Sequence, residues 1–549
     1  MVGREGPGQK RTALVRFAQT YRGPLLAGAL IGTCYIPFPP WSLFFCIVPL
    51  FVFWRKAQNL REVLIAGWLT QFFLTLIGFH WIAYTAVEFG RFPLWLGGLT
   101  LLAFCAIAHL YFPLAGAVWY LVTRQLKIDR DGLPALLLMG GSLAFFERTV
   151  WALFPWHLGY TWLWARFPAM QTADVWGFEG LSYFTIFANA LLAWALIDRW
   201  RWRLPRAAAV VLLAFGLVNA WGVWRKAAFE LRMLGTGDES EAALRALVVQ
   251  GNIGNLDKLR VETSVDARGP VTQKYLALSS DALERVRAAG DGPVDLVVWP
   301  ETAYPGFLNV EQKAFERFNW SVREAVRGWG VSLLAGSYSR PGPESGVYNG
   351  MFLLGNDGEN LAGPYHKTIL LAFGEKFPFN DIIPYQKWLL PNLGTFGEGS
   401  GPRPIQFRDI MIGPQICYEG LYPWFTADLV RAGARVIVNV TNDSWFGRPF
   451  EPLQHMTMTL ARAIEFRRPL IRSTNTGIST AIEASGEQET QSPLHQEWTG
   501  VFDVRLPEAT LQSPYTRWVG GDRVGLWIWI LLAINVILIL AGAYKRERP

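Results

Sequence analysis

The stretch DIMIGPQICYEGLYPWFTADLVRAGARVIVNV, residues 409–440, decides how the polar half of this chain folds. Its first part, up to Ile416, is a mostly apolar run of strand length, and its last part, ARVIVNV, is a second run rich in β-branched residues. Between them YEGLYPWFTADLVRAGA can begin a helix. Such an alternation marks strands buried in a mixed α/β domain with helices packed on its sheets. Cys417 stands where the first strand gives way to the helix. A side chain at that turn points out of the sheet, and the backbone N–H groups that follow have no helical partner. Those donors can stabilise an oxyanion, and a helix N-terminus lowers a thiol pKa. A buried structural cysteine would sit equally well there, because free cysteine behaves as a small hydrophobe.

The same alternation fills residues 225–520. ALRALVVQGN, VDLVVWPE, VSLLAGSYS and VYNGMFLLGNDGE read as strands, with NDG signalling a hairpin turn. VTQKYLALSSDALERVRA, EQKAFERFNWSVREAVRGWG and PLQHMTMTLARAIEFRR read as helices, and LIRSTNTGISTAIEASGE as a strand pair. Two further strand ends carry charge. LVVWPETAYP places Glu301 just past a buried strand, and GPYHKTILLAFGEKFPF carries Lys367 and Glu375. Burial raises a carboxyl pKa, which suits Glu301 to accept a thiol proton, and a lysine beside it can stabilise a developing oxyanion. His366 and His455 have no recognisable triad context, and no His/Cys/Asp cluster has metal-ligand spacing. No metal or cofactor is therefore expected.

The rest of the chain belongs to a different solvent. Hydrophobic residues make up 51% of the 549, charged ones only 17%, and 26 are tryptophan, a profile of a membrane protein with a water-soluble part. Apolar segments of roughly spanning length run over about 23–38, 41–54, 63–84, 93–122, 133–155, 178–197, 207–224 and 524–543. The second is short enough to be re-entrant, and Pro113 interrupts the fourth. With a cytoplasmic N-terminus, the clusters around Arg11, Arg55, Arg124, Arg201 and Arg546 all fall inside, as the positive-inside rule requires. This divides the chain into a membrane domain of about seven helices over 1–224, an extracytoplasmic domain over 225–520, and a last helix with a basic tail over 521–549. The net charge of +7 sits in these flanking clusters, so no nucleic-acid partner is expected. Gln71, His80, His109 and His157 either line a polar cavity or bond helix to helix.

WPET, YHKTILLAFGE and GPQICYE resemble the three signature blocks of the nitrilase superfamily, and with QGNI, FGEKFP, TNDSWFG and the flanking spans the chain resembles the apolipoprotein N-acyltransferase family nearly end to end. The resemblance implies a multi-span α-helical membrane domain joined to an α/β soluble domain, a nitrilase-like αββα sandwich. It implies Glu301 as general base, Lys367 as oxyanion stabiliser and Cys417 as nucleophile, supported by Glu375, Tyr418 and Glu419. It matches Glu147 and Arg148 to a membrane motif. It implies transfer of a phospholipid acyl chain, through a Cys417 thioester, to the N-terminal amine of a diacylglyceryl-modified apolipoprotein. The setting is a bacterial inner membrane with the catalytic domain outside the cytoplasm, and a monomer is expected. Leu259 stands where the family usually has tryptophan.

A thioester that must await an amine needs shelter from water. FPFNDIIPYQKWLLPNLGTF, with Phe377, Trp388 and Leu389, and SWFGRPF, with Trp445 and Phe446, are candidate arms that dip into lipid and gate acyl entry, or else pack as ordinary core. Two rival readings remain. A membrane-tethered amidase for a small C–N substrate would use the same three residues but needs only one anchoring span. A transporter with an outer binding domain would leave the charged strand ends unexplained and calls for repeats that the membrane half lacks.

Overall fold

The computed structural model describes residues 15–88, 90–196, 203–234, 243–254, 268–308, 313–342, 345–372, 374–377, 396–519 and 525–544. It divides into two compact units. The first comprises Met1–Met170, Trp176–Gly222 and Val524–Pro549, and the second Gln171–Val175 and Val223–Arg523.

The first unit is helical. Its elements are α1 (Arg22–Gly32), α2 (Val48–Lys56), α3 (Leu60–Gly78), α4 (Trp81–Glu88), α5 (Leu94–Ile107), α6 (Tyr111–Gln125), α7 (Leu133–Thr149), α8 (Tyr160–Trp164) and most of α9 (Ala173–Leu196) and α10 (Arg203–Leu234). Helix α16 (Leu526–Tyr544) closes the set. Among the described residues, four helical runs are long and apolar enough to cross a membrane: α3, Leu94–Gln125, α10 and α16. The apolar stretch 41–54 takes its shorter form. Turns run to Ile47, and α2 has nine residues, roughly 14 Å at 1.5 Å per residue. Irregular backbone in a membrane must be satisfied by protein. Here Asn189 of α9 accepts from the Ile47 N–H at 2.9 Å and donates to the Leu43 carbonyl at 2.9 Å. The long fourth segment breaks between α5 and α6, just before Pro113, whose ring opposes the carbonyl four residues earlier. Of the membrane histidines and glutamine, Gln71 and His109 bond helix to helix, whereas His80 Nδ1 contacts the Ile77 carbonyl of its own turn at 2.9 Å and His157 stacks on Tyr160. Gln71 donates to the Ala106 carbonyl at 3.1 Å and accepts from the His109 N–H at 3.0 Å, and Thr75 meets His109 Nδ1 at 2.8 Å. Glu147 accepts from Ser182 at 2.9 Å, and Arg148 pairs with Glu179 at 3.2 Å. Helices α7 and α16 approach closely at Gly141, where a Cβ would stand 2.6 Å from the Asn535 side chain.

The second unit holds two sheets. Its strands are β1 (Ala243–Gln250), β2 (Leu296–Val298), β3 (Tyr304–Phe307), β4 (Ser332–Ser339), β5 (Tyr348–Leu354), β6 (Tyr365–His366), β7 (Ile405–Phe407), β8 (Ile410–Ile416), β9 (Val436–Thr441), β10 (Leu470–Thr474), β11 (Thr480–Ile482) and β12 (Trp498–Arg505). The first sheet runs β12-β1-β2-β4-β5-β6, with β3 beside β4, and the second runs β11-β10-β9-β8-β7. Each has a parallel centre, β1-β2-β4 in one and β8-β9-β10 in the other, with antiparallel strands at its edges. Parallel strands are buried on both faces, which is why their sequences are nearly continuous in apolar residues. On the first sheet Leu247, Val249, Val297, Leu333 and Ala335 join the core made with α11 (Arg268–Ala289) and α12 (Lys313–Trp329). The opposite face turns toward the second sheet, where β1 meets β10 and Ser473 donates to the Val298 carbonyl at 3.3 Å. Helices α13 (Pro423–Arg431) and α14 (Phe450–Phe466) cover the second sheet, and α15 (Pro514–Trp518) packs on both. The order helix, sheet, sheet, helix is the αββα sandwich. Gln250, at the end of β1, fastens it: its Oε1 accepts from Thr474, Ser479 and Ser492 at 2.7–2.9 Å.

Candidate active site

Three strands end at one place. Strand β2 is fully buried, and the chain leaves it at Trp299, whose N–H donates to the Leu334 carbonyl at 2.9 Å. Pro300 follows, then Glu301, which is only 7% exposed. This turn lies against β4 at Gly336, where a Cβ would stand 2.3 Å from the Pro300 oxygen and 2.7 Å from Glu301 Cα. No other residue type leaves that room. Lys367 comes immediately after β6, and its N–H donates to the Asn349 carbonyl on β5 at 2.9 Å. The residue is 1% exposed. Cys417 comes immediately after β8 and is held at φ +53°. For a residue with a Cβ that left-handed conformation costs on the order of 1–2 kcal/mol, so neighbouring contacts must hold it.

The side chains converge. Lys367 Nζ lies 3.2 Å from Glu301 Oε1 and 2.8 Å from Glu375, whose Oε2 also accepts from the Leu371 N–H at 2.9 Å. Asn349 Nδ2 donates to Glu301 at 2.7 Å and to Glu375 at 3.2 Å. Burial pulls the Lys367 pKa down, but Glu301, Glu375 and Cys417 outweigh it and leave the group well above the ordinary lysine range. It is an ammonium at neutral pH.

The thiol behaves otherwise than its position suggests. The segment after Cys417 is a five-residue 3₁₀ turn, Cys417–Leu421, and a separate helix starts at Pro423. A proline presses the preceding residue toward extended backbone, and Tyr422 takes φ −101°, ψ 109°. The expected lowering of the thiol pKa by a helix terminus is overturned. Burial and Glu301 push the Cys417 thiol well up, against Lys367 and a hydrogen bond from Thr441. The resting group is a neutral thiol, so it must lose its proton as it reacts.

Glu419 builds the floor under this turn. Its Oε1 accepts from the Tyr365 hydroxyl at 2.7 Å and from the Thr368 and Ile369 N–H groups at 2.6 and 3.2 Å, while Oε2 accepts from the Ile416 N–H at 2.7 Å. Burial pushes its pKa up to about 7 despite these donors. The folded chain therefore holds a proton there that the unfolded chain has released, and Glu419's contribution to stability is lost as pH rises from 4.5 to about 7. In Glu419→Gln that loss disappears, so the melting temperature of wild type minus variant should fall across this window. A difference independent of pH would show that Glu419 does not titrate there. Tyr418 is buried, and its hydroxyl accepts from Tyr422 at 2.7 Å.

Of the remaining expected residues, Phe377 and Phe446 are buried, at 3% and 6% exposure, and Trp445 is half-buried. Trp388, Leu389 and Leu259 lie outside the described residues. His366 stacks on Tyr348 and meets Ser339 at 2.8 Å. His455 has more company than its sequence context indicates: its Nδ1 lies 3.0 Å from Asp443 and 3.4 Å from Glu451. The ligand atoms of these three lie within 4.8 Å of one another, so metal-ligand spacing is present after all, in the i, i+4 pair Glu451–His455 with Asp443. The Arg472 guanidinium, 2.9 Å from Asp443, already supplies positive charge there. Asn349, Thr441 and this cluster are what sequence reasoning missed. An asparagine inside a strand, as in VYNG, is the one local signal, since strands disfavour it.

Known proteins agree with this architecture. Residues 248–511 match the carbon-nitrogen hydrolase family, and residues 27–191 match the apolipoprotein N-acyltransferase N-terminal domain. An apolipoprotein N-acyltransferase of Bdellovibrio bacteriovorus is 40% identical over 97% of this chain and 95% of its own. That of Geobacter metallireducens is 31% identical over 85% and 84%, and that of Pseudomonas syringae pv. tomato 30% over 93% and 96%. With such similarity running the length of both domains, this chain belongs to the apolipoprotein N-acyltransferase family, multi-span membrane acyltransferases of lipoprotein maturation.

Proposed function

We propose that the enzyme moves a fatty acyl chain from a membrane phospholipid to the α-amino group of a diacylglyceryl-modified N-terminal cysteine, by way of a thioester on Cys417. The observation that carries this reading is the pairing of the buried Lys367 with the buried Glu301 and the half-buried Glu375, beside the strand end where Cys417 stands. Glu301 takes the thiol proton as the sulfur attacks the ester carbonyl carbon. Lys367, already an ammonium, faces the oxyanion that forms. The intermediate collapses, the C–O bond breaks, and Glu301 returns its proton to the departing lysophospholipid oxygen. The amine then attacks the thioester carbonyl, the C–S bond breaks, and the amine proton leaves through Glu301, restoring the thiol. Splitting one transfer between two bulky lipids into two steps lowers each barrier and gives ping-pong kinetics. Glu375 and Asn349 hold Glu301 and Lys367 in place. The basic clusters on alternate loops support a catalytic domain outside the cytoplasm.

The test is intact-protein mass spectrometry of the full chain after incubation with phospholipid vesicles, beside Cys417→Ser. The expected result is a fatty-acyl increment on wild type only, removed by hydroxylamine and by a diacylglyceryl-cysteine peptide. An increment discharged by water at the same rate with or without the peptide would make the enzyme a lipid hydrolase. No increment on a folded wild type would remove Cys417 as the acyl carrier.

A further inference from the structure

The main-chain oxygen of Cys417 is held as carefully as its side chain. Two side-chain donors reach it from different elements, Asn439 Nδ2 of β9 and His455 Nε2 of α14, each at 3.3 Å. Behind them the contacts close into a ring. His455 Nδ1 lies 3.0 Å from Asp443 Oδ1, Arg472 Nη2 lies 2.9 Å from Asp443 Oδ2, and Arg472 Nη1 donates to Asn439 Oδ1 at 2.6 Å. Starting and ending at the Cys417 oxygen, the path runs His455, Asp443, Arg472, Asn439. Asn439, Asp443 and Arg472 are fully buried and His455 is 6% exposed. Buried contacts of this kind polarise one another and hold their members in one geometry, here through the contacts named above, while Arg472 Nε and Glu451 Oε2 have no hydrogen-bond partner among the described residues. Burial raises the Asp443 pKa, but Arg472 and His455 outweigh it and keep the carboxylate ionised, whereas burial and Asp443 push Glu451 well above the carboxylate range.

We propose that His455 and Asn439, backed by Asp443 and Arg472, are positioning residues that lock the Cys417–Tyr418 peptide and so fix the left-handed turn from which the thiol acts. None of them touches the reacting atoms in this assignment. A trans peptide points its C=O and N–H in opposite directions. Pinning the Cys417 oxygen into the interior therefore aims the Tyr418 N–H the other way, and it sets the Cα–Cβ bond that carries the sulfur. Without the two donors, a non-glycine residue at φ +53° has a strong reason to relax. The inference rests on the reading of Cys417 as nucleophile.

The histidine itself offers a geometric test in the full-length enzyme reconstituted with phosphatidylethanolamine and phosphatidylglycerol. Glutamine places its amide nitrogen near the position of histidine Nε2, and asparagine near that of Nδ1. His455→Gln therefore keeps the donor to Cys417, while His455→Asn keeps only the side facing Asp443. Asn439→Asp keeps its size and its bond to Arg472 but loses the second donor. Single-turnover acylation of Cys417, followed by intact mass, should stay within about threefold of wild type in His455→Gln and fall about 100-fold in the other two, the scale of a small misplacement of reacting groups. The KM for phospholipid should stay unchanged in all three. Should His455→Asn fail to fold, the contrast between His455→Gln and Asn439→Asp decides alone. Equal acylation in wild type and all folded variants, or equal loss in His455→Gln and its partners, overturns the ring. A wild type that takes no acyl group overturns the nucleophile reading, and this inference with it.

Discussion

Glu301→Gln should slow formation of the Cys417 thioester by about 10³-fold, within the range that general bases contribute, while leaving the protein folded. Glutamine has the size of glutamate, and its oxygen can still accept from Asn349 Nδ2 and Lys367 Nζ, the two partners of Glu301 Oε1. What it cannot do is take a proton. The thiol is held well above its ordinary pKa by burial and by Glu301, so its thiolate is scarce at neutral pH. Removing the Glu301 charge eases the thiol's ionisation, yet no other described carboxylate shares its contact with both Lys367 and Asn349 except Glu375, whose Oε2 is bound to the Leu371 N–H. Single-turnover acylation measured by intact mass reads this directly, and the residual rate should climb with pH as hydroxide takes over the deprotonation. A variant that acylates at the wild-type rate would place the base elsewhere.

Lys367→Met should cost both stability and activity, and the two losses can be separated. Among the described residues, the ammonium is the one cation in ion-pair contact with Glu301 and Glu375, and all three are buried or nearly so. Deleting one member of a buried ion pair typically costs about 3–5 kcal/mol, because the remaining charge has neither water nor a partner. Acylation should fall by about 10³-fold, since a preorganised donor to the oxyanion is lost as well. In Lys367→Met/Glu375→Gln one of the stranded charges is gone, so much of the melting temperature should return. Activity should not. Recovery of acylation in the double variant would reduce Lys367 to a structural cation.

How much of this was readable beforehand follows from the range of the forces involved. Glu301 and Cys417 were legible because each follows a short apolar strand, a local pattern, whereas Lys367 follows only the two-residue strand Tyr365–His366 and was legible from the block GPYHKTILLAFGE. Asn349 was not: its value lies in donating to Glu301 and Glu375, 48 and 26 residues away. His455 looked idle because its partners, Asp443 and the Cys417 carbonyl, arrive from other elements. The helix expected from Tyr418 was displaced by five residues because Pro423 fits only the first turn of a helix. The apolar run 41–54 was ambiguous for the same kind of reason: hydropathy measures burial, and Asn189 decides whether that buried chain is helix or turn.

The sequence by itself determined the solvent of each half, the α/β alternation of 225–520 though not its strands β3, β6, β7 and β12, and the candidate residues Glu301, Lys367 and Cys417, because hydropathy and side-chain periodicity act over a few residues. Tertiary structure alone decided the protonation of the thiol, the sharing of Lys367 between two carboxylates, and the side-chain ring that holds the Cys417 peptide. Those properties arise from desolvation and from charges brought together across tens to hundreds of residues, and neither exists until the two sheets have packed.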